Sequence, residues 1–531
     1  MAVLAGLLFV GVGHPIQNNN EGLYASVARD MLEGSSWAVP HLDGIPYLEK
    51  PPLLYWITAT GYALLGQGDA ASRMGPVLGS ILTLAAVYWF TLRHWGRITA
   101  IAAAFIVASC PLVVGLGRML MFDLLFTGLY TWALFLMHEA LLAARSKPWM
   151  RGSYAMLALA VLTKGWVAFV LFGLIALAMV AMAGRGGALD RAKRFADPVA
   201  VTLFVAIALP WHLYAWSRQP GFGWFYLWNE HVLRFLDQRE PRDYYHGPSW
   251  YYLPRVLGAA LPWVLVLAIP VRAPRDAGGA RGFLWACFVV PLAFFSLCAA
   301  KANYYMVVGL PPLAPIVACR LVALRGLRLL ALLPLAWAAA MAAAWLSADR
   351  LGLGGPLPSA PLIEAIALAS ASAAFFASRR LLPGVVACAA MALPLAWFVS
   401  GYLAAHEEAT SERSLAAFLH ERGIAGVYVY RDFESVSSIA WYWNAPVGVI
   451  DSASNELRYG LGFPHDDALF PNAERFVAAR RPQPVAVLAL EKRRAKLEAG
   501  PLGPRLAHLA RFGDVHVYEW RPPTTLRTVE R

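Results

Sequence analysis

Carboxylates and cations stand together at a few places in a chain that otherwise holds little of either. Between residues 17 and 56, QNNNEGLYASVARDML runs into GIPYLEKPPLLYW, which sets Glu21, the adjacent pair Glu49-Lys50 and a Pro-Pro break beside long apolar runs. A charge next to a bilayer is costly and persists where it has a partner or a task. Further along, Arg73, Arg118, Asp123, Lys164, Glu230, His231, Arg234 and Lys301 fall at the ends of apolar runs or in the loops between them. Carboxylates of this kind act as general bases or ligate hard cations. Arginine and lysine hold phosphate through charge-assisted hydrogen bonds. A cavity that mixes the two suits an anionic substrate carried on a lipid.

The composition says what kind of scaffold must position them. Of 531 residues, 59% are hydrophobic and 15% charged, with 20 Trp. That apolar surface exceeds what a soluble core hides. It is organised in runs close to the ~20 residues that cross a hydrocarbon core. The runs lie near 1–13, 71–93, 98–117, 119–143, 152–163, 165–184, 198–216, 252–270, 282–299, 303–322, 327–346, 360–378 and 383–404, about thirteen spanning helices. The first is short, because residues 2–13 rise only ~18 Å as a helix. With no basic segment before it and no small-residue cleavage site, it reads as a truncated helix rather than a signal peptide.

With an odd number of spans the loops alternate. Those holding Arg93/Arg97, Arg145/Lys147/Arg151, Arg185/Arg191/Lys193/Arg194, Arg272/Arg275/Arg281, Arg320/Arg325/Arg328 and Arg379/Arg380 share one side. The excess behind the net charge of +12 is concentrated there, and the positive-inside rule makes that side cytoplasmic. The N-terminus is then cytoplasmic, while the C-terminal segment and every candidate residue named above face outward. The basic loops carry no aromatic-interleaved patch, so the charge implies no nucleic-acid partner. The five cysteines lie in apolar runs without CxxC spacing and read as small core hydrophobes.

Two outer loops, roughly 14–70 and 217–251, interrupt the membrane region of residues 1–404. The first contains a helix start at 18–21 followed by an apolar stripe of Leu23, Val27, Ala28 and Met31. The second is dense in Trp and Tyr, as suits the headgroup zone. From 405 to 531 the pattern changes to a small α/β domain. Its expected helices are 411–421 and 471–480, and its expected strands 426–433, 445–451, 484–491 and 514–520. No phosphate-binding Gly loop occurs in it.

The order and spacing of EGLYASVARDML, GIPYLEKPPLLYW, RMLMFDLLF, LTKG, NEHVLRF, PSWYYLPRVLGAALPW and KANYYMVVGLPPLA resemble the GT-C glycosyltransferases of the protein O-mannosyltransferase superfamily. The similarity covers roughly residues 15–315. It is strongest to the bacterial branch that includes the lipid A 4-amino-4-deoxy-L-arabinose transferases. It implies a polytopic helical GT-C fold in the bacterial inner membrane. It also implies transfer of a sugar, with inversion, from a polyprenyl-phosphate donor to an envelope glycolipid, glycan or protein acceptor at the outer face.

Because such a donor is a lipid, no nucleotide cofactor is required. Glu49 is implied to bind a divalent metal, with His231 as a second ligand. Lys50, Arg234, Lys301 with Tyr304 and Tyr305, and Lys164 are implied to lie at the donor phosphate. The family's Asp-Glu pair is matched by Asn20-Glu21, and an amide has no useful basicity. Three readings stay open: Glu21 or Asp123 is the base, the acceptor is already nucleophilic, or the chain is catalytically silent. The structural alternatives are an exposed Glu49-Lys50 ion pair, local hydrogen bonding by His231, salt-bridging of Arg234 to Asp237 or Glu230, pairing of Asp123 with Arg118, membrane-end anchoring by Lys164 and snorkelling by Lys301. A silent assembly subunit and a lipid-linked sugar transporter are the rival functions, although the middles of the spans are almost free of charge.

Overall fold

A computed structural model describes residues 2–34, 36–142, 146–241, 246–271, 279–324, 327–346, 360–479, 481 and 483–521. Of the basic loops, Arg145, Arg272, Arg275, Arg325 and the Arg185 side chain lie outside the described residues. The chain forms two compact units. One comprises Met1–Val12, Lys50–Leu54 and Arg73–Gly401, and the other Gly13–Glu49, Tyr55–Ser72 and Tyr402–Arg531. A single cut at 404/405 was the expectation from sequence. Most of the first outer loop instead groups with the C-terminal segment, because its backbone is bonded there: Asn18 N–H donates to Thr410 O and Asn19 N–H to Glu434 O, both at 2.8 Å.

The first unit is helical. Among the described residues, six helices are long and apolar enough to cross a membrane: Met74–Ala108, Phe122–Leu142, Pro198–Arg218, Ala280–Leu297, Tyr305–Ala323 and Leu381–Ala405. Shorter apolar helices include Val167–Ala181, Arg328–Ala343 and Pro361–Ala377. The runs expected at 71–93 and 98–117 join in one helix that breaks at Gly96, whose φ of 80° needs a residue without Cβ. The run expected at 252–270 is divided into Tyr252–Ala259 and a tighter helical stretch, Trp263–Ala268. Pro262, with no N–H to donate, stands at the break. The second outer loop holds a helix that its aromatic density concealed, the wide π-helical stretch Gly223–Leu233. Such turns are rare and occur often at functional sites.

The second unit begins with the helix Asn20–Leu32 and a hairpin of β1 (His41–Leu42) and β2 (Ile45–Pro46). Asp43 and Gly44 both take positive φ at its tip, as a two-residue hairpin turn requires. Five further strands follow: β3 (Gly426–Tyr430), β4 (Val447–Ile450), β5 (Val485–Leu490), β6 (Leu506–Phe512) and β7 (Val515–Trp520). They form one mixed sheet in the order β4-β3-β5-β7-β6. β3 is parallel to β4 and β5, while β7 is antiparallel to β5 and β6. The core strand β5 is buried at every position, hence its unbroken VAVLAL. The sequence did not reveal β6: it is a half-exposed edge strand with a register shift between His508 and Ala510, which weakens its alternation.

Candidate functional site

In the helical unit two helix ends meet. Asp123 lies in the first turn of Phe122–Leu142 and Lys164 ends Lys147–Lys164. Each charge thus sits where the helix dipole favours it. The Lys164 ammonium and the Asp123 carboxylate form a buried ion pair. Asp123 is therefore paired with Lys164. Arg118 donates to Val114 O at 2.7 Å and to Leu7 O at 3.2 Å. Lys164 also lies over the rings of Tyr305 (4.8 Å), Tyr304 (5.7 Å) and Phe126 (5.7 Å), a cation–π arrangement. The next residue, Gly165, has φ 89°, and a Cβ there would come within 2.5 Å of His231 Nε2.

His231 fills the space that Gly165 leaves. Its Nδ1–H donates to Tyr226 O at 2.6 Å, and its Nε2 accepts from Trp166 N–H at 3.2 Å. Burial holds the ring neutral, with its pKa lowered to about 4, and the nearby positive charges of Lys50 and Arg234 push the same way. Lys50, Lys164 and Arg234 therefore contribute to one region of positive potential. Glu230 offsets part of it, accepting from Arg239 Nε at 2.6 Å and from Arg234 Nη1 at 3.2 Å. The buried Arg239 was not singled out from sequence, where REPR gives no cue to its partner.

Lys301 is bonded within its own stretch of chain. Its ammonium is buried and donates to Phe295 O (2.9 Å), Ser296 O (2.8 Å) and Cys298 O. An ammonium has three donors, and all three go to carbonyls at the end of the helix Ala280–Leu297. With these bonds Lys301 caps that helix. Its neighbours in sequence, Tyr304 and Tyr305, reach Lys164 instead.

In the second unit Asn20 opens the helix Asn20–Leu32, and its Oδ1 accepts from Tyr24 O–H at 3.3 Å. Glu21 is buried, and its Oε2 accepts from Gln17 N–H at 3.0 Å. Glu49 is buried too, and its charge acts on Tyr47 and Tyr55. Tyr47 O–H donates to Glu456 at 2.9 Å, so a C-terminal carboxylate that sequence reasoning missed shares this neighbourhood.

The ligand roles implied for Glu49 and His231 meet an obstacle at the histidine. Both ring nitrogens are committed to backbone groups, so the donor set does not fit a metal as it stands. Among the described residues, one other group offers metal-ligand atoms. In His94, His138 and Glu139 these atoms lie within 4.8 Å of one another. His94 Nε2 is 2.8 Å from Glu139 Oε1, and Arg93 Nη2 is 2.9 Å from Oε2. Glu139 closes the helix that Asp123 opens, which at 1.5 Å per residue puts this group about 24 Å from the Lys164 pair.

Comparison with solved structures gives the class. The fold matches the crystal structure of ArnT from Cupriavidus metallidurans bound to undecaprenyl phosphate, with 98% of this chain and 96% of that one aligned at TM-score 0.80 and 21% identity. The chain has the GT-C glycosyltransferase fold, as its motifs led us to expect. Residues 49–214 match the family model described as dolichyl-phosphate-mannose-protein mannosyltransferase.

Within that class the chain is similar to particular curated proteins. It is 34% identical over 315 residues to the undecaprenyl phosphate-alpha-4-amino-4-deoxy-L-arabinose arabinosyl transferase of Erwinia tasmaniensis, covering 56% of this chain and 54% of that one. To the transferase of the same name from Pectobacterium carotovorum it is 31% identical over 362 residues, covering 65% and 63%. The chain thus spans between half and two thirds of the length of these relatives.

Proposed function

We propose that this chain is an inner-membrane glycosyltransferase that moves a sugar from a polyprenyl-phosphate donor to an envelope acceptor, with inversion at the anomeric carbon. The observation that carries the reading is the cationic region of Lys50, Lys164 and Arg234 with Tyr304 and Tyr305. As the glycosidic bond breaks, negative charge builds on the departing phosphate, and preorganised cations stabilise that charge more than they stabilise the bound donor. Asp123 holds the Lys164 ammonium in place, and the tyrosine faces keep it oriented. With Asp123 committed to Lys164, Glu21 is the better base for the acceptor hydroxyl, provided its bond from Gln17 N–H loosens when acceptor binds. The relatives' names favour an undecaprenyl-phosphate amino-sugar donor. The acceptor is an envelope glycolipid before a glycan or protein, and the outer-face orientation read from the basic loops belongs to the same proposal.

The test is release of free polyprenyl phosphate, followed by mass spectrometry, from polyprenyl-phosphate sugars given to the purified protein with an envelope lipid extract. Turnover in wild type that is lost in Glu21→Gln supports both the transfer and the base. Turnover that survives Glu21→Gln overturns the base and leaves the transfer standing. A second reading rests on Asn20, whose amide takes the family's acid position and bonds Tyr24. Activity that appears only in Asn20→Asp would make the native chain a silent binding subunit.

A further inference from the structure

The loop that carries Asn20 and Glu21 is held by residues far away in sequence. Asn18 is the pivot. Its Oδ1 accepts from Ser438 N–H at 3.1 Å and from Ser438 O–H at 2.8 Å, and its Nδ2–H donates to Glu412 Oε1 at 3.0 Å. Glu412 N–H in turn donates to Ser438 Oγ at 2.7 Å, which closes a ring of three residues. The amide orientation is unambiguous, because a backbone N–H can only donate and a carboxylate can only accept. Around the ring, Ser437 O–H donates to Asn19 O at 2.7 Å. Asn19 takes φ 63° just ahead of the helix, without a side-chain cap. Gly22 is so close that a Cβ would lie 2.4 Å from Ser438 N. Glu412 itself is 2% exposed, and its Oε2 has no hydrogen-bond partner. Burying a carboxyl in this way costs free energy, a cost that is tolerated where the group performs a task.

We propose that Glu412, acting through Asn18, is a positioning residue that fixes the 17–22 loop and so sets the Asn20-Glu21 pair for sugar transfer. This rests on the transferase reading above. The local argument is independent of that reading. The helix start at Asn20 lacks a side-chain cap, so its entry geometry is supplied by the 410–412 and 434–438 segments. The C-terminal domain thereby contributes to the transfer step without its residues having to touch either substrate.

The experiment swaps the donor and the acceptor. Asn18→Asp, studied at pH 8.5, above the range in which Glu412 carries a proton, sets a carboxylate against Glu412 and breaks the ring. Adding Glu412→Gln restores a pair, because the new amide donates to the new carboxylate. Two measurements are made on full-length protein in detergent: hydrogen exchange of the 15–24 segment, and donor turnover as kcat and KM. Asn18→Asp should speed exchange of the Asn18 and Asn19 amides at least tenfold and cut kcat at least tenfold with little change in donor KM. The double variant should recover most of both. Unchanged exchange in Asn18→Asp overturns the proposal, as does faster exchange with undiminished kcat. A double variant that restores neither also overturns it. If wild type turns over no donor, the transferase reading falls, while the exchange data still decide whether Glu412 holds the loop.

Discussion

Replacing Lys164 by Met tests whether that ammonium serves the phosphate or merely neutralises Asp123. The side chains of Lys164 and Asp123 are 15% and 3% exposed. Removing one partner of a buried pair strands the other charge, and such losses run to about 3–5 kcal/mol. Lys164→Met should therefore lower the unfolding midpoint in detergent. Asp123→Asn should cost less, because the ammonium keeps three aromatic faces around it. The double variant Asp123→Asn/Lys164→Met removes both charges and should recover much of the lost stability, since a neutral pair leaves no stranded ion.

Activity should behave differently. One preorganised donor to a developing oxyanion contributes roughly 10²–10³-fold in rate, so kcat/KM should fall by that factor in Lys164→Met. It should stay low in the double variant even as stability returns. The assay is polyprenyl-phosphate release under single-turnover conditions, with folding checked by the melt. A double variant that regains wild-type turnover would refute the reasoning, since Lys164 would then be only the counter-ion of Asp123.

Lys301→Met should destabilise the protein by about 1–3 kcal/mol, because it uncovers three carbonyls at a helix end, yet leave donor KM unchanged; a raised KM would return Lys301 to the phosphate. Gly22→Ala places a Cβ 2.4 Å from Ser438 N, where backbone must shift, and should cost about 2–3 kcal/mol in a melt. Glu412 has its pKa raised by burial from 4.5 to about 7, so between those values the folded state holds a proton that the unfolded chain has released. Its contribution to stability therefore falls as pH rises from 4.5 through 7, by roughly 3 kcal/mol in all. The decline should vanish in Glu412→Gln, measured as the difference in melting pH-dependence between the two proteins. Asp43, raised by burial to about 8, should add a decline of the same sign that extends to higher pH and is removed by Asp43→Asn.

The membrane class, the apolar runs and the motif order were legible in the residues, because length, hydropathy and local spacing are properties of contiguous chain. The strands β3, β4, β5 and β7 were legible for the same reason, each being a short apolar run bounded by turn residues. Gly96 and Pro262 mark breaks whose backbone cause is local, although the spans around them were drawn differently from sequence. The partners of the charges could not be read in this way.

Lys164 could have faced phosphate, solvent or any acid; that it meets Asp123, 41 residues away, depends on how two helices pack. Lys301 stands beside Tyr304 and Tyr305 in sequence, yet its ammonium turns back to cap a helix while the tyrosines reach Lys164. The Asn18 ring joins residues 394 and 420 positions apart. A hydrogen bond is decided within a few tenths of an ångström, and sequence spacing carries that information only inside one helix or hairpin. The chain by itself determined which residue types were available and which elements they ride on. The tertiary packing alone decided which charge each one faces.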